Sequence, residues 1–459
     1  MITKEYIKEL KSNRNGDFQR LIKEQKDIGN IIFILENLGQ LQDDFDGRWL
    51  LDLINHKNSQ VRYWAVKNIG KLNNVDYITY LKDIADGDPD TNVRREAVSS
   101  IGRMRRPELK DIFIKKLNDN DPKVVCQAIR GLLVFKGDNS VDEKLKPLIN
   151  HENEMIRTVI YKEYFSEIKN NNSIPHTETY DFLKNVVVNA ETISTMKLIP
   201  EEAVHLTFTS PPYYNARDYS IYPSYKAYLE FLTETFNEVH RITKEGRFFI
   251  LNTSPIIIPR VSRQHSSIRY PIPFDIHHDL VNMGWEFIDD IIWIKPEASV
   301  KDRNGGFKQH RKPLAYKPNN VTEYLMVYRK KTSKLIDWNI RQYDYKTVEE
   351  SKVRGDYETR NTWFIDPCFD KVHSAVFPIE LCNRVVKFYS FKNDLIFDPF
   401  GGSGTLGKAA FNLGRYFFMT EQDQKYFERI KSNFSDGNVF NKIVPKFLSF
   451  KEFSDTIKL

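Results

Sequence analysis

In the first third of the chain, apolar and small residues return at a near-constant interval. Val61, Val93, Val124 and Ile156 stand 32, 31 and 32 residues apart. Ala65, Ala97 and Ala128 follow in phase, as do Gly70, Gly102 and Gly131. Asp88-Pro89 and Asp121-Pro122 open two of the units. Such a period, with small residues in phase and proline at a helix start, predicts stacked helix pairs, each burying its apolar face on the next. Residues 31–54 are helical in pattern and read as a degenerate first unit. An ordinary helical bundle is the alternative. Arg62, Arg94 and Arg157 also recur in phase. They read as salt bridges between adjacent repeats in preference to a basic stripe, because in-phase residues serve stacking more often than ligands.

The polar stretch from Lys169 to Pro175 breaks the helical pattern and predicts a linker. Beyond it the pattern changes. Ala203 to Phe208 is an apolar run of strand length, and it ends in Thr209-Ser210-Pro211-Pro212-Tyr213-Tyr214-Asn215. Each proline fixes its own φ and removes an N–H donor, so the strand should end in a rigid corner with an unclaimed carbonyl. The Ser210 hydroxyl and such a carbonyl are two acceptors beside the flat ring of Tyr213. That set suits a planar group bearing an amino substituent, such as the edge of adenine or cytosine. Further on, Asp394 to Asp398 reads as a strand, Pro399-Phe400-Gly401-Gly402-Ser403-Gly404-Thr405 as a glycine-rich turn, and Leu406 to Phe411 as a helix. Glycines admit close backbone approach to a ligand. A strand-to-helix turn of an α/β sheet is where nucleotides bind.

Together these two motifs resemble those of the amino-group DNA methyltransferases, which use S-adenosylmethionine to methylate cytosine N4 or adenine N6. Further segments resemble the family in order. These are Glu245 to Asn252, Asp290 to Pro296, Thr322 to Lys330, and His373 to Pro378. The resemblance covers roughly Tyr180 to Phe434. The Ser-Pro-Pro-Tyr motif precedes the glycine turn, which is the permuted arrangement called the β group. The N-terminal period resembles a short HEAT-like solenoid. The expected fold is therefore a Rossmann-like α/β methyltransferase sheet with permuted motif order, preceded by an all-α HEAT-like solenoid. The domains would be residues 1–168 and 176–459.

The resemblance assigns roles. Ser210, Pro211, Pro212 and Tyr213 would form the catalytic corner. Ser210 and the Pro211 carbonyl would accept the two amino hydrogens, and Tyr213 would stack on a base flipped out of the duplex. Phe400, Gly402 and Gly404 would surround the methionine part of S-adenosyl-L-methionine, with Pro399 and Thr405 beside them. Asp398 would hold the turn or the ammonium group. Phe377 and Pro378 would pack on the cofactor. Glu421, ending the strand from Arg415, would bind the ribose hydroxyls; Asp423 is an alternative, and a helix cap is the plain reading of Glu421. Between Tyr324 and His373 the β group carries its recognition insert. Lys334 to Trp363 is the expected target-recognition region, with Arg341, Lys346, Arg354 and Arg360 toward phosphates and guanines.

Composition changes this picture little. At 459 residues the chain has room for two or three domains. A net charge of +6 is compatible with nucleic acid without demanding it. Cys126, Cys368 and Cys382 have neither metal-ligand nor disulfide spacing, and no metal is expected. Pro367-Cys368 resembles the nucleophile of carbon-5 cytosine methyltransferases, but it lies on the wrong side of the glycine turn and reads as structural or incidental. His277-His278 has no partner cluster and reads as structural. Without a signal sequence or an apolar stretch of membrane-spanning length, a cytoplasmic protein that avoids membranes is expected.

Serine at the first motif position favours cytosine N4, with adenine N6 the alternative. A solenoid binding module carrying an inactive methylase fold is the reading from another class. Expected partners are double-stranded DNA and a restriction endonuclease encoded separately; the solenoid's partner is not legible.

Overall fold

The computed structural model describes residues 2–12, 18–41, 45–165, 174–214, 222–258, 262, 264–265, 267–299, 320–355, 357–368, 376–435 and 445–457. The chain forms two compact units, Met1–Ile168 and Lys169–Leu459. The expected linker lies mostly outside the described residues.

The N-terminal unit is helical. Its in-phase helices are Ser59–Lys71, Thr91–Arg103, Pro122–Leu133 and Glu154–Ile160. Val61, Val93, Val124 and Ile156 are all fully buried, as are Ala65, Ala97 and Ala128. The small residues let neighbouring helices close up. A Cβ on Gly131 would sit 2.7 Å from the Phe113 ring, and one on Gly70 would sit 2.2 Å from Ser100 Oγ. Each helix starts on a short polar cap: the side chains of Asn58, Asp90, Asp121 and Asn153 accept from backbone N–H groups of the first turn. Asp121-Pro122 thus opens its helix as expected. Asp88-Pro89 does not, since Asp90 is the cap there and Asp88 has another use. It accepts from Arg62 Nε at 2.7 Å and Nη2 at 2.9 Å, tying one repeat to the loop before the next. Arg94 and Arg157 likewise reach back to loop carbonyls, at 3.0 Å to Asp88 and 2.8 Å to His151. Arg94 also pairs with Asp119 at 3.5 Å, so Arg62 and Arg94 tie one repeat to the next, whereas the Arg157 contacts fix the loop before its own helix.

The C-terminal unit is α/β. Its strands are β1 Val186–Asn189, β2 Val204–Thr209, β3 Thr243–Thr253, β4 Ile256–Ile258, β5 Ile268–Tyr270, β6 Trp285–Ile294, β7 Thr322–Lys330, β8 Thr362–Phe364, β9 Leu395–Asp398, β10 Tyr416–Thr420 and β11 Lys446–Ser449. Among the described residues, nine of them form one sheet in the order β11-β1-β10-β9-β2-β3-β7-β6-β8. Every strand of that sheet runs the same way except β7, which is antiparallel to β3 and β6. β4 and β5 pair separately, as an antiparallel ribbon that follows the end of β3.

The central strands are buried on both faces, and helices cover each face, as a parallel sheet requires. One core holds Val204, Phe249, Phe397 and Phe418 against helices Tyr225–Ile242 and Ile272–Met283. The other holds Leu206, Phe208, Ile396 and Phe417 against helices Ile379–Tyr389, Thr405–Asn412 and Gln424–Ser435. Each such side chain contributes roughly 1.5–3 kcal/mol through burial. His205 is buried within β2, where its Nδ1 accepts from Leu395 N at 3.0 Å. Burial pushes its pKa well below the ordinary histidine value, so the imidazole stays neutral.

Candidate functional site

Because all strands but β7 run one way, their carboxyl ends line a single edge of the sheet. β2 and β9 are neighbours there, with Leu206 opposite Ile396 and Thr207 opposite Phe397. Two motifs far apart in sequence therefore end side by side. Their last strand residues are joined directly: Thr209 Oγ1 donates to Asp398 Oδ1 at 2.7 Å. Asp398 also accepts from Phe400 N at 3.0 Å, which closes the start of the glycine turn. Burial pushes the Asp398 carboxyl up to about 6, against the lowering effect of those two donors.

The corner after β2, Ser210, Pro211, Pro212 and Tyr213, is neither helix nor strand. Among the described residues no donor engages the Pro211 carbonyl. The Tyr213 ring is half-buried, and its Oη donates to Glu323 Oε2 at 3.2 Å. Burial, with the nearby Glu323 charge, pushes the phenol pKa up, so Tyr213 stays protonated. Asn215, the last residue of the motif, lies outside the described residues.

The glycine turn is built as its sequence demands. Gly402 and Gly404 have φ of +54° and +76°, the left-handed region in which a side chain is strained. A Cβ on Gly404 would also come within 2.8 Å of Ile430. Ser403 Oγ and Thr405 Oγ1 lie 2.9 Å apart, and the Pro399 carbonyl accepts from Thr420 Oγ1 at 2.7 Å. Gly402 N donates to Glu421 Oε2 and Asp423 N to Glu421 Oε1, both at 2.8 Å. Glu421 is buried at the end of β10, and that burial pushes its carboxyl up to about 7. Two backbone donors leave such a carboxylate with acceptor capacity toward the turn. Asp423 instead caps the next helix, accepting from Lys425 N at 2.8 Å. Phe400 is half-buried beside Phe231, Phe377 stacks on Phe208 at 4.6 Å, and Pro378 precedes the helix Ile379–Tyr389. His373 to Ala375 lie outside the described residues.

The segment expected to read DNA is divided between two places. It leaves the end of β7, and because β7 alone is antiparallel, that point lies at the edge opposite Ser210 and Asp398. Side-chain contacts keep the first half there. Lys334 pairs with Glu245 at 2.6 Å, Asn339 donates to Gly246 O at 3.0 Å, and Lys392 N donates to Ser351 Oγ at 2.9 Å. These partners stand at the start of β3 or just before β9. The last residues run along the outer side of β6, where Ile292 N donates to Asn361 O at 2.7 Å and Thr362 lies opposite Ile292. Arg360 therefore sits nearer the edge that carries Ser210 and Asp398, but beside β8, four strands across the sheet from β2. Arg341 pairs with Asp337, Lys346 with Glu350, and Arg360 with Glu358, while Arg354 donates to Glu349 O. Tyr343 stacks on Phe391 at 4.2 Å, and Trp363 is buried. Chain position alone did not reveal which edge of the sheet Arg341 and Lys346 occupy.

Three side chains that the sequence left unassigned meet the corner. Asn252 is the penultimate residue of β3, Glu323 the second of β7, and Lys295 follows β6. Asn252 Nδ2 donates to Glu323 Oε2 at 2.6 Å and to Ser210 Oγ at 3.3 Å, and Lys295 pairs with the Glu323 carboxylate. Their one visible signal was position: each stands near the end of its strand at the Ser210 edge of the sheet. Cys368 is exposed, and His277 Nδ1 lies 2.9 Å from Tyr328 Oη.

Residues 204–432 match the family model described as DNA methylase, and residues 81–163 match the model for HEAT repeats. Over its C-terminal unit, this chain belongs to the N4/N6 DNA methylase family. The order of its motifs is the permuted one. Among curated relatives, the type II beta methyltransferase M.BslI of Bacillus sp. (strain NEB-606) is 24% identical over 320 residues, which are 67% of this chain and 34% of that protein. The type II methyltransferase M.Cfr9I of Citrobacter freundii is 26% identical over 269 residues, 51% of this chain and 83% of that protein. The chain thus spans about a third of the length of the first relative. Among solved structures, the putative DNA modification methylase TTHA0409 of Thermus thermophilus, in complex with S-adenosyl-L-methionine, is 22% identical, with a TM-score of 0.47 over 58% of this chain and 98% of that one.

Proposed function

We propose that this protein transfers a methyl group from S-adenosyl-L-methionine to the exocyclic amino nitrogen of a base in double-stranded DNA, cytosine N4 in preference to adenine N6. The observation that carries the reading is the Thr209–Asp398 hydrogen bond, because it fixes the acceptor corner and the glycine turn at adjacent strand ends. The turn fits the cofactor by its own geometry. At the half-buried, left-handed Gly402 no side chain bars close approach, and the buried Glu421 keeps acceptor capacity for ribose hydroxyls.

An exocyclic amine is a poor nucleophile, because its lone pair is delocalised into the ring. Acceptors at Ser210 Oγ and the Pro211 carbonyl would bind its two hydrogens and draw the nitrogen toward tetrahedral geometry. Tyr213 would stack on the flipped base. S-adenosyl-L-methionine, when bound, would supply a sulfonium methyl, with the new N–C bond forming as the S–C bond breaks and S-adenosylhomocysteine as the leaving group. The alkylated nitrogen would then pass one proton to water, which restores the neutral amine. No covalent enzyme intermediate is required, and orientation supplies much of the rate.

Serine at the head of the corner favours cytosine. Relatives named type II methyltransferases support a role as the modification partner of a separately encoded restriction endonuclease. The rival reading, a helical binding module with a silent methylase fold, is opposed by intact Ser210, Gly402, Gly404 and Glu421. The test is to express the chain in a bacterial host free of DNA methylation and sequence that host's DNA with detection of both N4-methylcytosine and N6-methyladenine. N4-methylcytosine in a fixed sequence is the expected result. N6-methyladenine would transfer the assignment to adenine, and unmodified DNA together with no cofactor binding would support the silent module.

A further inference from the structure

The polar cluster beneath the corner carries more than packing. Asn252 is 1% exposed, and its two amide hydrogens are both used, one on Glu323 and one on Ser210. Its carbonyl Oδ1 is buried with no partner among the described residues. An amide free to choose would not leave its acceptor unpaired and spend both donors in one direction. Glu323 forces the choice. As a carboxylate it is acceptor-only, so Asn252 must turn its NH2 toward it. Lys295, paired with Glu323 and lying 4.5 Å from the Trp293 ring, holds that carboxylate in place. Glu323 also receives the Tyr213 hydroxyl, 3.2 Å away.

We propose that Glu323 is the positioning residue of the methyl-transfer corner: through Asn252 it sets the polarity of the Ser210 hydroxyl, and through Tyr213 Oη it holds the stacking ring. This rests on the function proposed above. With Asn252 donating to it, Ser210 Oγ has one lone pair left for an amino hydrogen, and its own hydrogen is directed away from Asn252. Were Glu323 replaced by glutamine, Asn252 could turn over. The Ser210 hydroxyl would then be held in no single direction, and Tyr213 Oη would lose a charged acceptor.

The test measures kcat for methyl transfer and the cofactor Kd separately in Glu323→Ala, Glu323→Gln, Glu323→Asp, Asn252→Ala and the Glu323→Ala/Asn252→Ala pair. Glu323→Ala and Asn252→Ala should each lower kcat roughly 10- to 100-fold, with the cofactor Kd held within about twofold. The double variant should be little worse than the worse single one, because the two residues act as one chain. Glu323→Asp should restore part of the loss. If Glu323→Ala does not fold, the nearly isosteric Glu323→Gln decides by the same split. Turnover of folded Glu323→Gln within twofold of wild type, or losses that multiply in the double variant, would overturn the inference and leave the proposed function standing. Wild-type protein that methylates no DNA would overturn both.

Discussion

Thr209 and Asp398 stand 189 positions apart in the chain, and a single 2.7 Å hydrogen bond joins them. Each is the last residue of its strand, and the strands are parallel neighbours. That contact makes the permuted order of the motifs immaterial to the site. The sheet cares which strands are adjacent, not which is translated first. A buried carboxylate at this junction is costly unless it is hydrogen-bonded, and Thr209 with Phe400 N supplies the bonds.

Substitutions in the corner separate chemistry from cofactor binding. Ser210→Ala removes one acceptor for the amine, and Tyr213→Ala removes the stacking face. Each should raise the transfer barrier by about 2–4 kcal/mol, as the loss of one placed polar or stacking contact does. Cofactor affinity, read by calorimetry, should stay near the wild-type value in both. Unchanged turnover in either variant would remove that residue from the site.

Glu421 gives the protein a pH signature. Its carboxyl is raised from the ordinary 4.5 to about 7 by burial. The folded state therefore holds a proton that the unfolded chain releases between these values. The linked stability is present below pH 4.5 and declines as pH rises toward 7. Cofactor affinity should move the other way, growing as Glu421 ionises through about pH 7 and becomes the better acceptor for ribose hydroxyls. In Glu421→Gln both slopes should flatten. Calorimetric titrations across that range check the affinity slope, and urea unfolding at the same pH values checks the stability slope.

The glycine turn tolerates no side chain at its tightest points. Gly402→Val places a β-branched residue at φ +54°, where it is strained, and should weaken cofactor binding at least tenfold by blocking backbone approach. Gly404→Ala adds a Cβ 2.8 Å from Ile430 and should lower stability by about 1–3 kcal/mol. Full cofactor affinity in a folded Gly402→Val protein would move the cofactor site away from this turn.

Much of this was legible in the chain, and what was not has a physical cause. The helical stack shows in Val61, Val93 and Val124 because a repeat buries the same position each time. β2 and β9 show because each is an apolar run stopped by prolines or glycines. Asn252, Glu323 and Lys295 did not show. Each is one polar residue at the end of a different strand, and they converge only through the antiparallel register that sets Trp293 opposite Glu323 and Asn252 opposite Leu325. The edge occupied by the residues around Lys346 did not show for a related reason. Their edge of the sheet depends on the direction of β7, and an apolar strand pattern reads the same in either direction.

In the helical unit, Arg62 and Asp88 form a largely buried pair, with side chains 11% and 5% exposed. Removing one partner of such a pair leaves an uncompensated charge and costs about 3–5 kcal/mol. Arg62→Ala should therefore destabilise this unit in thermal denaturation. DNA affinity, measured where the protein remains folded, should stay unchanged. A variant of native stability with weakened DNA binding would instead mark the in-phase arginines as a phosphate-contacting stripe.

Charge reversal within residues 334–363 tests where the target sequence is read. Arg341 and Lys346 are exposed, with side chains 72% and 83% accessible, and each is already paired with a nearby carboxylate. They follow the end of β7, at the edge opposite Thr209. A base seated at Ser210 would be separated from them by the length of the sheet, on the order of 20 Å at about 3.3 Å per strand residue. The pair Arg341→Glu and Lys346→Glu should therefore leave the methylated sequence and kcat unchanged. Arg360 differs, because it precedes β8, which pairs with the end of β6 on the Ser210 edge. Four strand spacings still part it from β2, roughly 19 Å at about 4.8 Å each, which suits a phosphate contact on the flanking duplex better than a contact with the flipped base. Arg360→Glu should weaken DNA binding and make its salt dependence shallower, with sequence choice intact. Sequencing the DNA of methylation-free hosts that express each variant decides the matter. A changed sequence in Arg341→Glu/Lys346→Glu would return the reading role to the opposite edge, and a changed sequence in Arg360→Glu alone would make the start of β8 a base-reading element.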